Sequence, residues 1–206
     1  GSLIASASDD HTARLWKLGG TRPVTLEGHQ DNVRYISFSP DSNLIATASD
    51  DKTVRLWKPD GTEVATLEGH QAWVNHVSFS PDGNLIATAS GDKTARLWKP
   101  DGTLVATLEG HQASVYQVSF SPDGNLIATA SSDNTARLWK PDGTEVATLE
   151  GHQNWVNQVT FSPDSNLIAT ASGDNTARLW KPDGTLVATL EGHQASVYQV
   201  SFSRSE

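Results

Sequence analysis

A histidine, a serine, an aspartate and a tryptophan recur together along this 206-residue chain. His29 is followed by Ser49, Asp51 and Trp57, and His70 by Ser90, Asp92 and Trp98. The same types return as His111, Ser131, Asp133 and Trp139, then as His152, Ser172, Asp174 and Trp180, each set 41 residues after the last. A base, an acid and a hydroxyl are the parts of a nucleophilic site. Catalysis, however, needs one copy, and here every unit carries one. The indole N–H only donates, so it suits the end of a buried network better than a reacting group. No Gly-x-Ser-x-Gly elbow surrounds any serine. Each His-Asp pair also offers a metal only two good ligands, too few for zinc. Buried polar groups need partners, and a closed network supplies them without chemistry. The expectation is therefore no enzyme activity and no catalytic, metal or cofactor-binding residue.

The elements that hold these residues repeat with them. From Leu3 the chain divides into units 3–43, 44–84, 85–125, 126–166 and 167–206. In the third, "LIATAS", "TARLWK" and "LVATLEG" read as strands rich in Ala, Thr, Val, Leu and Ile. Gly91-Asp92 and Pro100-Asp101-Gly102 mark the turns between them. A fourth strand, "VYQVSFS", follows the Gly-His pair and stops at Pro122-Asp123-Gly124. No window shows the 3.6-residue apolar period of a helix. Each unit is thus a four-stranded antiparallel meander, stable only when stacked on others.

The 41-residue period, the Gly-His pair and the Leu-Trp of the third strand together resemble the WD-repeat β-propeller family, over residues 3–203. One departure is constant: the family's Trp-Asp is Trp-Lys at Trp57-Lys58, Trp98-Lys99, Trp139-Lys140 and Trp180-Lys181. The resemblance implies an all-β propeller of four-stranded blades, one domain over 1–206, and a non-enzymatic interaction scaffold. It also implies that each His pairs with its Asp, the Ser and the Trp extending the chain of hydrogen bonds. Thr47, Thr88 and their equivalents share the serines' strand face, so the hydroxyl is open between the two.

A fifth set is split. Ser8, Asp10 and Trp16 stand at the start with no Gly-His ahead of them, and His193 is left over near the other end. The N-terminal strands and the closing "VYQVSFS" of 197–203 therefore add up to one blade. Blades of this family usually fill a wedge of about 50°, whereas a ring of five needs about 72° each. Over-opening leaves cavities, at about 24 cal/mol per Å³, and unpaired strand edges recruit other chains. A homodimer whose chains exchange terminal strands or stack ends is expected first, a strained five-bladed monomer second, and larger or open assemblies last. The dimer's ten blade equivalents exceed a usual ring, so some strands would sit outside a regular blade.

Differences among the copies point to a binding face. An 82-residue super-period alternates "HQAWVN" and "HQASVY" types of blade, so aromatics sit either before or after a valine. In the family the loop after Gly-His and the start of the innermost strand face partners. Arg34, Trp73, Asn75, Tyr116, Trp155, Asn157 and Tyr198 map there, and exposed Trp, Tyr and Arg anchor protein interfaces. A lectin-like alternative would use Trp73 and Trp155 as stacking platforms for sugars. His11 and His76 depart singly from the repeat and read as solvated.

Composition narrows the classes. The net charge of −9 disfavours nucleic acid as a partner. No apolar run approaches a membrane span and no signal peptide leads the chain, so a cytoplasmic protein is expected. Cysteine and methionine are both absent, which excludes disulfides. The missing initiator, the leading Gly1-Ser2 and the off-pattern Arg204-Ser205-Glu206 read as an excised or engineered part of a longer, recently amplified propeller.

Overall fold

A computed structural model describes residues 3–20 and 22–203. Every regular element among them is a β-strand, and no helix is long and apolar enough to cross a membrane. Blade 1 is the three-stranded sheet of β1 (Leu3–Ala7), β2 (Ala13–Lys17) and β3 (Val24–Leu26). Blade 2 has four strands, β4 (Val33–Phe38), β5 (Ile45–Ser49), β6 (Val54–Trp57) and β7 (Glu63–Leu67). Blade 3 repeats them as β8 (Val74–Phe79), β9 (Ile86–Ser90), β10 (Ala95–Trp98) and β11 (Leu104–Leu108). Blade 4 holds β12 (Val115–Phe120), β13 (Ile127–Ser131), β14 (Ala136–Trp139) and β15 (Glu145–Leu149). Blade 5 holds β16 (Val156–Phe161), β17 (Ile168–Ser172), β18 (Ala177–Trp180) and β19 (Leu186–Leu190). All pairs are antiparallel and joined by short turns.

The second strand of each full blade explains the stacking. In β9, Ile86–Ser90 is buried at every position, because both of its faces meet a neighbouring blade. Side chains alternate across the strand. One face presents only Ala87 and Ala89, so the next blade comes close. The other face carries Ile86, Thr88 and Ser90. The junction between blades 2 and 3 packs Ala46, Ala48, Val54, Leu56 and Leu67 against Val74, Val77, Phe79, Ile86 and Trp98. The next two junctions use the same positions, one repeat further on each time.

The innermost strands carry a regular irregularity. Pairing shifts between Val33 and Tyr35, Val74 and His76, Val115 and Gln117, and Val156 and Gln158. A bulge therefore falls on Arg34, Asn75, Tyr116 and Asn157, and bulges re-aim side chains. These four are binding-face positions named from sequence.

The two ends differ from the interior. In blade 1, Trp16 is 42% exposed, whereas its counterpart Trp57 is 2% exposed. Ile4 is exposed as well. At the other end Leu190 is 44% exposed, against 1% for Leu67. Residues 191–203 form no strand. They lie along blade 5: the Val197 N–H donates to the Ser172 carbonyl at 2.9 Å, and Val197 and Val200 pack on Ala171 and Ala177. The expected inner strand of blade 1 is thus not built within one chain. Its backbone is held by blade 5, and β1 is the edge strand of its sheet, paired with β2 alone.

Candidate interaction face and its supporting networks

Blade 3 shows how each full blade ties its histidine. His70 Nδ1 lies 2.7 Å from Asp92 Oδ2, and His70 Nε2 lies 2.7 Å from Thr88 Oγ1. Trp98 Nε1 donates to the same Thr88 oxygen at 3.0 Å. A carboxylate only accepts and an indole N–H only donates, so with the imidazole neutral its proton sits on Nδ1 and Nε2 is left to accept. The order of donation is Trp98 to Thr88, Thr88 to His70, and His70 to Asp92. Blades 2, 4 and 5 repeat it through His29, Thr47, Asp51 and Trp57, through His111, Thr129, Asp133 and Trp139, and through His152, Thr170, Asp174 and Trp180.

The hydroxyl between histidine and tryptophan is therefore threonine. Naming Ser49, Ser90, Ser131 and Ser172 for that place is corrected by the register: the serines lie two residues on, at the strand end. There Ser90 Oγ accepts the Asp92 N–H at 3.1 Å and donates to the Trp73 carbonyl at 2.9 Å. It holds the Asp turn and the loop after Gly-His together.

Electrostatics agrees with a static network. Burial pushes the Asp92 carboxyl upward, but hydrogen bonds from His70, Thr94 and the Gln71 N–H outweigh it and hold the group far below the usual carboxylate range. Asp51, Asp133 and Asp174 behave alike. Burial lowers His152, against the opposing pull of Asp174. The hydroxyls of Thr47, Thr88, Thr129 and Thr170 are fully buried, so no substrate reaches them. Among the described residues no group of three or more His, Cys, Asp or Glu could hold a metal ion.

The split set does not assemble within one chain. Asp10 is exposed and takes hydrogen bonds from the Thr12 N–H and Oγ1. Ser8 Oγ accepts the Asp10 N–H. Trp16 Nε1 donates to Ser6 Oγ at 3.3 Å, Ser6 standing where the other blades have threonine. His193 is exposed on the C-terminal segment.

On the loop face the named residues divide by role. Asn75 and Asn157 are staples: their Nδ2 groups donate to the carbonyls of Val115 and Val197, at 2.8 and 2.9 Å. Arg34 is ion-paired with Asp50. Trp73 lies over Gly91, where an added Cβ would come within 2.5 Å of the indole. The remaining aromatics gather at blades 4 and 5, where the rings of Tyr116 and Trp155 stand 6.0 Å apart, tilted by 58°. With Asn154, Asn157, Ser196 and Tyr198 they line a cleft of about 560 Å³.

Two further features escaped the sequence. Gln117 Oε1 accepts the Val159 N–H at 2.7 Å, capping the inner strand of blade 5, and Gln158 Oε1 accepts the Val200 N–H at 2.6 Å, the same bond made to the C-terminal segment. The signal was available, since glutamine recurs at one repeat position (117, 158 and 199). Blade 3 has His76 there instead. Far from solvated, its ring stacks on Tyr35 with centroids 3.9 Å apart, and its Nδ1 is buried without a partner among the described residues.

A search of curated proteins finds no match. The family model described as "WD domain, G-beta repeat" matches residues 1–17, 20–58, 61–99, 102–140, 143–181 and 184–206. The first and last matches are shorter than the others and cover complementary stretches of the repeat. Members of this family generally mediate protein interactions and are typically non-enzymatic. With nearly all of its length matched, the chain belongs to the WD domain, G-beta repeat family.

Proposed function

We propose that the chain is a non-enzymatic interaction scaffold, a single domain that completes its first blade with the C-terminal segment of a second copy. The observation that supports this is the chemistry of the two ends. The three junctions among blades 2–5 pack an Ala-Ala-Val/Ala-Leu-Leu face against Val, Val, Phe, Ile and Trp, and the junction between blades 1 and 2 does so with Ile36 in place of the second valine. Blade 5 offers Ala169, Ala171, Ala177, Leu179 and Leu190, with Val197, Val200 and Phe202 already alongside. Blade 1 offers Ile4 and Trp16, and the free edge of β1. The two surfaces are the halves of one such junction. Joining them would bury Trp16 and Leu190, place His193 beside Asp10 and bring Gln199 to the Ile36 N–H, as Gln158 meets Val200.

In a homodimer each end would meet the partner's opposite end, which closes a ring of two head-to-tail contacts. The five-bladed monomer has the weaker support, because residues 191–203 are bonded to blade 5 and form no strand beside β1. The completed ring would present the loop face, with Trp73, Trp155 and Tyr198 outermost, to a peptide or protein. Light scattering is the test, with twice the chain mass expected and a stable monomer as the refuting result.

A further inference from the structure

From the cleft at blades 4 and 5 we infer that the loop face carries a binding site for a neutral sugar, an unbranched glycan whose pyranose ring stacks on Trp155. The cleft is complete within one chain, so the inference stands apart from assembly through the termini.

The lining sets the ligand class. Tyr116, Asn154, Trp155, Asn157, Ser196 and Tyr198 contain no charged group, although the chain as a whole carries −9. Anionic and cationic ligands would lose their hydration with nothing to replace it. What the cleft offers is aromatic faces together with amide and hydroxyl groups. A pyranose presents the complement, with C–H groups on one face and hydroxyls around its rim. The geometry selects against a flat base, because sandwiching one needs near-parallel rings, whereas Tyr116 and Trp155 are tilted by 58°. A wedge of that angle fits a puckered ring.

The platform is also held ready. Trp155 is 54% exposed, yet its backbone is fixed on both sides. Its N–H donates to Asn154 Oδ1 at 2.8 Å, and its carbonyl accepts the Gly173 N–H at 2.9 Å. Ligand therefore meets an aromatic surface already in place, which lowers the ordering cost of binding. The counterpart at Trp73 lacks two of the parts. Ala72 replaces Asn154, and Arg34, bound to Asp50, replaces Tyr116 as the neighbouring wall. Trp155 is the complete site and Trp73 the depleted one.

The test is calorimetry and saturation-transfer NMR with maltotriose, cellotriose, mannotriose and N,N′,N″-triacetylchitotriose. Sialyllactose and an octaproline peptide serve as controls. At least one neutral trisaccharide should bind with a dissociation constant on the order of 1 mM or tighter. Trp155→Ala should weaken it about tenfold or more, while Trp73→Ala leaves it within about twofold and circular dichroism stays unchanged for both. Should Trp155→Ala misfold, contacts to indole protons in the unmodified chain locate the sugar instead. No binding by any neutral trisaccharide, equal loss in both variants, or preference for sialyllactose or octaproline each overturns the site. Solution mass, measured separately, bears only on assembly.

Discussion

Thr88 holds the shortest route between two parts of a blade that are far apart in sequence. Its single oxygen accepts from Trp98 and, with the imidazole neutral, its proton goes to His70. Thr88→Val keeps the shape but leaves a buried indole N–H and a buried imidazole nitrogen unsatisfied. The expected cost is about 1–3 kcal/mol in urea unfolding. Ser90→Ala should cost less, since the loop carbonyl and turn N–H it serves lie nearer to water. His76 is the opposite case, a titratable group without its partner. Burial pushes it down to about 4, from an ordinary value of 6.5. Its folded value is the depressed one, so between those limits the unfolded chain binds a proton that the native chain refuses. Stability must then fall as pH drops below 6.5. At about pH 4.5 the loss is about 2 kcal/mol. His76→Gln would restore the cap that Gln117 and Gln158 make, aimed here at the Val118 N–H. It should raise stability by about 1 kcal/mol near neutrality and flatten the decline between about pH 7 and 4.5. Denaturation at the two pH values checks both expectations. The depressed aspartates act only at lower pH: their stabilisation is present above the ordinary 3.8 and is lost as pH falls below it.

At the scale of the strand, the sequence was most legible where period and turn residues agree. The Ile-Ala-Thr-Ala-Ser strands and the Pro-Asp-Gly turns stand where patterning places them, because those residues have few other conformations to adopt. The hydroxyl was less legible. Thr88 and Ser90 lie on one face of one strand, and only the register, Thr88 opposite Arg96, puts the threonine oxygen within reach of Trp98. The bulge at Asn75 and Tyr116 left no mark in composition, being a property of pairing. The segment 197–203 carries an innermost-strand sequence yet forms no strand, since a strand requires an edge as well as a propensity. Ending the chain after Ser196 would uncover Ala171 and Ala177. On the proposed assembly it should also shift light scattering from twice the chain mass to one, with the far-ultraviolet spectrum of blades 2–4 retained. A truncated chain that still runs at double mass would remove the exchange of terminal segments.

At the scale of the whole molecule, an unfilled junction half at each end dominates. Trp16 and Leu190 are 42% and 44% exposed within one chain, against 2% for Trp57 and 1% for Leu67, so replacing Trp16 weighs more on assembly than on folding. Trp16→Glu should leave the unfolding free energy of the isolated chain within about 1 kcal/mol while abolishing the double-mass species. The same change at the buried counterpart Trp57 should prevent folding, because it puts a charge into a packed junction. A Trp16→Glu chain that keeps its doubled mass would show that other surfaces bring the copies together.

The identity of the junctions also bears on how such a gene can change. Adding or losing one stretch of 41 codons creates no surface that the protein does not already own. The new neighbours meet through the same small face and the same indole, whichever copies they come from. Slippage during replication, ruinous in most folds, would here yield a chain of different length with its internal contacts intact.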